Sequence, residues 1–144
     1  MIKMIPKNPV TLAINGFLMD NYLRDFAEKN LPAYGYEITS AYRDEEKNRE
    51  VGGVENSAHL YNLARDIVLT KNGIALNSAQ LKQVYDQFIK PSWEGYSKLY
   101  HSHIHLNMDR ELSEYTRFAG YAATAFIAAF GIKKFIKKYK ENKK

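Results

Sequence analysis

The sequence predicts an α+β fold, a small antiparallel sheet with helices packed on one side of it. Three observations carry that prediction. Residues 11–30 repeat apolar side chains at helical spacing, residues 36–42 and 64–70 are short runs of β-formers separated by charged and turn-rich stretches, and residues 98–108 alternate again as a third strand. With 144 residues, 45% of them hydrophobic, the chain is long enough to bury one core.

Each element has a local reason. Leu12, Ile14, Phe17, Leu18, Tyr22, Leu23 and Phe26 form the apolar stripe of the first helix. Pro32 ends it, because proline disfavours helical geometry in the residue before it. Tyr36 to Tyr42 reads as the first strand, and a charged helix over residues 44–51 follows and stops at Gly52-Gly53. Ala64 to Thr70 reads as the second strand, with Lys71-Asn72-Gly73 as its turn. Asn77 or Ser78 caps a third helix that runs through Ile89, burying Leu81, Val84, Tyr85 and Phe88, and Pro91 terminates it.

The chain has no cysteine, which excludes disulfides, thiol nucleophiles and thiolate metal sites; any zinc site must use histidine and carboxylate. Three of its four histidines, His101, His103 and His105, fall within five residues of the third strand. Side chains alternate along a strand, so all three are expected on one face. If Asp66 opens a paired strand and His59 lies in the loop before it, both reach that face. The outcome would be a His, Asp, His zinc site on the sheet with a fourth position open to water. The alternating triple also fits a polar strand face that binds nothing.

Ser57-Ala-His-Leu-Tyr-Asn-Leu-Ala-Arg-Asp66 resembles the Ser-x-His-x-x-Gly-x-Ala-x-Asp signature of the zinc D-Ala-D-Ala carboxypeptidases, which group with the L-alanyl-D-glutamate endopeptidases. Ile38-Thr-Ser-Ala-Tyr-Arg43, Asn48-Arg-Glu-Val-Gly-Gly53 and His103-Ile-His105 are similar to the family's other segments, in the same order. The resemblance implies zinc ligands at His59, Asp66 and His105. It implies proton transfer or oxyanion stabilisation at His103, and substrate binding or charge stabilisation at Arg43. Ser57 matches a substrate-binding serine. The bland alternatives are a strand-end charge for Arg43 and a turn residue for Ser57. Some branches use a glutamate three residues before the last ligand; here that residue is Ser102, which leaves His103 as the base. Two departures stand out: the signature glycine is Asn62, and an acid that often follows the last ligand is Asn107. His101 has no counterpart role.

Charge is unevenly placed. Residues 133–144 hold seven lysines and one glutamate, +6 against +5 for the whole chain, which leaves the remainder at −1. A near-neutral body argues against a nucleic-acid-binding surface. Residues 118–132 carry no charge and would span about 22 Å as a helix at ~1.5 Å per residue. The expected division is a zinc peptidase domain over residues 1–112 and a C-terminal hydrophobic and basic helix over 113–144. That helix fits a short membrane anchor, an interfacial helix or a core helix, with membrane contact through residues 118–139. The first ten residues lead into no apolar stretch with a cleavage site, so no signal peptide is expected.

The implied activity is hydrolysis of peptide bonds in peptidoglycan stem peptides, at the bacterial cell wall, with Zn2+ as cofactor. Bacteriophage lysis is the analogous setting. The alternative is an inactive zinc-binding structural or wall-binding module, such as a virion component.

Overall fold

The computed structural model describes residues 7–108. The expected helix and membrane contact over 113–144 lie outside the described residues.

Helix α1 (Pro9–Asn30) starts where Asn8 accepts a hydrogen bond from Thr11 N and Pro9 takes the first helical position. It stops at Leu31, just before Pro32, with the Leu31 N–H on the Ala27 carbonyl. Helix α2 (Glu45–Glu50) is capped by the Asp44 side chain on Lys47 N. Helix α3 (Ser78–Val84) opens with a reciprocal capping box between Asn77 and Gln80 and continues as a π turn over Tyr85–Ile89.

The strands are β1 (Gly35–Ser40), β2 (Ala64–Lys71), β3 (Ile74–Ala75), β4 (Tyr96–Leu99) and β5 (Ile104–Asn107). All pairings are antiparallel in the order β1-β2-β5-β4, with β3 added to β2 through the Asn72-Gly73 turn. Both turn residues have positive φ, 52° and 78°, which Asn-Gly accommodates best. The β1–β2 register shifts between Ile38 and Ser40, so that Ile38 opposes Ile67 while Ser40 opposes Asp66.

One expectation is corrected. The third strand over residues 98–108 is a hairpin, β4 and β5, whose tip is His101-Ser102, and β4 begins two residues earlier at Tyr96. Leu99 opposes Ile104, and Tyr100 N bonds the His103 carbonyl, so the chain reverses where alternation suggested it ran straight. His101 therefore leaves the strand face and bonds Ser78 at the start of α3.

The sheet has one apolar and one polar face. Ile67, Leu69, Ile104 and Leu106 meet Met19, Leu23 and Phe26 of α1 and Leu81 and Val84 of α3 in a single core. Each such fully buried side chain contributes about 1.5–3 kcal/mol. Trp93 packs on Tyr22 and Phe26 and donates its indole N–H to the Asn107 carbonyl, which fixes the end of β5. No helix among the described residues is long and apolar enough to cross a membrane.

A polar seam joins α1 to β2. Arg65, facing the core side, bonds Asp20 Oδ1 at 2.7 Å and the Gly16, Ala64 and Asn62 carbonyls, while Asn15 reaches the Tyr61 carbonyl. Asn62 has φ 58°, donates to Leu12 O at 2.8 Å and accepts from Arg65 at 2.9 Å. Gly16 lies so close that a Cβ there would collide with the Asn62 side chain. Asn62 thus tolerates the backbone that glycine would take and also clips α1 to the loop. Asn62→Gly is expected to lower stability by about 1–2 kcal/mol, since two hydrogen bonds and backbone rigidity outweigh the relieved φ. An unchanged urea midpoint would show that the clip carries no stability.

Candidate metal centre

The centre is assembled from the segment before β2, from β2 itself and from β5. After α2, Asn48 holds the chain through its amide on the Val54 carbonyl and its own carbonyl on Gly53 N. Ser57 then caps a 3₁₀ turn over Ala58–Tyr61, its hydroxyl oxygen accepting from His59 N at 3.3 Å. His59 is buried, 2% exposed, and its Nδ1–H donates to the Ala41 carbonyl. A carbonyl can only accept, so that bond fixes the tautomer and turns Nε2 inward.

Nε2 of His59 lies 3.2 Å from Asp66 Oδ1, and Nδ1 of His105 lies 2.8 Å from the same oxygen. Asp66 and His105 oppose each other in the β2–β5 register, which puts both on the polar face. The other carboxylate oxygen, Oδ2, takes a 2.7 Å hydrogen bond from Arg43 Nη2. Arg43 is itself steadied by its Nε on Ser40 Oγ and its backbone N–H on the His59 carbonyl. The register shift in β1 brings Ser40, and so Arg43, beside Asp66.

Burial alone would push the Asp66 carboxyl up, but hydrogen bonds from His105 and His59, with their positive charge, outweigh it and hold the group well below the usual carboxylate range. The Arg43 guanidinium favours the same ionised state. With Nδ1–H held by the Ala41 carbonyl, Nε2 is the ring atom that faces Asp66 Oδ1, and a cation bound there would take the place of the proton the two share.

The donor atoms of His59, Asp66 and His105 all lie within 4.8 Å of one another. Ligands of one zinc ion, each bonded at ~2.0–2.2 Å, are at most about 4 Å apart, so small side-chain rotations close the set. Two imidazoles and a carboxylate without thiolate suit zinc in an open, three-ligand site. The residues fit that ion.

His103 does not belong to this group. Its ring stacks on Tyr100 at 4.7 Å with an interplanar angle of 10°, and Ser102 Oγ lies 3.2 Å from its Nδ1. His101 stands apart on Ser78. Ser57 is engaged as the turn's cap, and Asn107 Oδ1 is buried without a hydrogen-bond partner among the described residues. The sequence reading brought Arg43 to the site but missed its bond to Asp66. It also missed the Ala41 carbonyl, a backbone group that no residue type announces.

A family model described as Peptidase M15 matches residues 25–107. Neither a curated protein nor a solved structure matches the chain.

Proposed function

Because the chain belongs to the peptidase M15 family, whose members are zinc-dependent metallopeptidases, we propose that it hydrolyses amide bonds in peptidoglycan stem peptides, as a carboxypeptidase or endopeptidase. The observation that carries this reading is the convergence of His59 and His105 on one oxygen of Asp66.

In this reading His59 Nε2, Asp66 and His105 Nδ1 hold the ion. Bound zinc supplies Lewis acidity, polarising a carbonyl and lowering the pKa of bound water from about 15.7 to about 7. The protein's own groups do the rest. The Ala41 carbonyl keeps His59 in the ligating tautomer. Arg43 orients Asp66 through its 2.7 Å hydrogen bond, and its side chain, 17% exposed, borders the space where negative charge develops. His103, two residues before His105 and beside the His101-Ser102 tip of the hairpin, moves the proton to the leaving amine. Ser57 joins His59 in shaping the wall of the site. The uncharged stretch over 118–132 and the basic run after it favour contact with an anionic membrane surface. Bacteriophage lysis, at the bacterial wall, is the matching setting.

The test is metal analysis of the purified protein followed by mass spectrometry of peptidoglycan digested with the zinc-loaded form. Cleaved stem peptides support the proposal. Stoichiometric zinc without cleavage would replace it by a zinc-binding structural or wall-binding module. Within the same assay, His103→Ala is expected to keep its zinc and lose about 10²-fold in kcat. Near-normal turnover in that variant would move the proton-transfer role elsewhere.

A further inference from the structure

Asp66 opposes His105, and His105 opposes Lys98, so three side chains from three neighbouring strands stand in a row on the polar face. Directly opposed Cβ atoms lie about 4.5–5.5 Å apart, which sets the lysine stem beside the metal-binding histidine. Lys98 is exposed, and, as for Lys29, Lys71 and Lys90, no carboxylate pairs with it among the described residues; of these four, it is the one that stands opposite His105. Its ammonium instead rests 4.9 Å above the ring of Tyr100, and that ring is stacked on His103. Tyr96, on the same side of β4 and 56% exposed, sets its ring 6.0 Å from His105. A cation is thus held beside the centre in an aromatic frame, with its charge unneutralised by nearby acid.

We propose that Lys98 is a specificity-determining residue that anchors a free carboxylate on the substrate residue adjoining the cleaved bond. This rests on the peptidase reading and deepens it. Reach sets the position of the carboxylate. One residue of extended peptide spans at most about 3.6 Å, and Lys98 is one strand away from His105. A carboxylate several residues distant from the scissile bond would pass the ammonium by. Two kinds of stem peptide meet the requirement: one ending in a free α-carboxylate one residue beyond the bond, and one in which a γ-linked glutamyl residue keeps its α-carboxylate. Their amidated forms keep the shape and lose the charge.

The experiment pairs acid with amide. Full-length, zinc-loaded protein is given a stem pentapeptide with a C-terminal D-Ala carboxylate and its carboxamide, and a stem peptide with γ-linked D-glutamate and its D-isoglutamine form. Wild type is expected to prefer the acid of the cleaved pair by about ten-fold or more, mainly through KM. Lys98→Met, which keeps the aliphatic stem, is expected to bind zinc normally and to treat acid and amide alike. Lys98→Glu should prefer the amide. Equal handling of acid and amide by wild type overturns the assignment of Lys98 and leaves the peptidase reading intact. So does an acid preference that survives in Lys98→Met. If the zinc-loaded protein cleaves none of the four peptides, the peptidase reading fails and Lys98 falls with it.

Discussion

Asp66→Ala is expected to strip the protein of stoichiometric zinc and to lower kcat/KM on its peptide substrate by on the order of 10³-fold or more. A metal ion supplies several kcal/mol of transition-state stabilisation, and each ~1.4 kcal/mol is worth a factor of ten. Asp66 is the residue on which the centre converges, since His59, His105 and Arg43 all bond its carboxylate. Without it the two imidazoles lose their shared oxygen and the guanidinium loses its counter-charge in a nearly buried position. Asp66→Asn is the sharper variant, because it preserves shape and removes only the charge and one acceptor. Emission spectrometry of metal per chain, with rates on the same samples, checks both. One zinc per chain in Asp66→Ala would remove Asp66 from the ligand set.

The second large effect falls on stability. Arg65→Met is expected to destabilise the fold by about 3–5 kcal/mol, the range for breaking a buried, hydrogen-bonded charge. Arg65 has a side chain only 3% exposed, yet it bonds Asp20, the Asn62 side chain and the carbonyls of Gly16 and Ala64. Methionine fills much of the volume but leaves those acceptors unpaired. Because Arg65 points to the core side of β2 and Asp66 to the polar face, zinc occupancy should fall only as the protein unfolds. Denaturant titration with and without zinc separates the two effects, and a midpoint matching wild type would contradict the prediction.

Much of the candidate site was legible because its chemistry resides in residue types. Histidine, aspartate and arginine at His59, Asp66, His105 and Arg43 stand at recognisable spacing, and the register of β2 and β5 sets Asp66 opposite His105. The helices were legible for a similar reason, since caps and prolines mark their ends. The hairpin tip was not. Its residues, His101-Ser102, lack the Asn-Gly chemistry that advertises the turn at Asn72-Gly73, and polar alternation continues across it. Arg65 was equally opaque, because a charge on the core side of a strand makes sense only once α1 supplies Asp20 and its carbonyls. The place of Lys98 beside His105 depends on cross-strand register, which a single chain of letters does not specify.

The slipped register in β1 has a consequence for what the chain can lose or gain. Ile38 still opposes Ile67, but Ser40, rather than Thr39, faces Asp66, and Arg43 follows three residues later. The stretch from Ile38 to Arg43 therefore acts as a spacer whose length matters more than its letters. Exchanging one small residue for another inside it leaves the frame intact. Deleting a single residue there would cancel the offset, put Asp44 where Arg43 now stands, and uncouple Arg43 from Asp66 while the first half of the strand stayed in place.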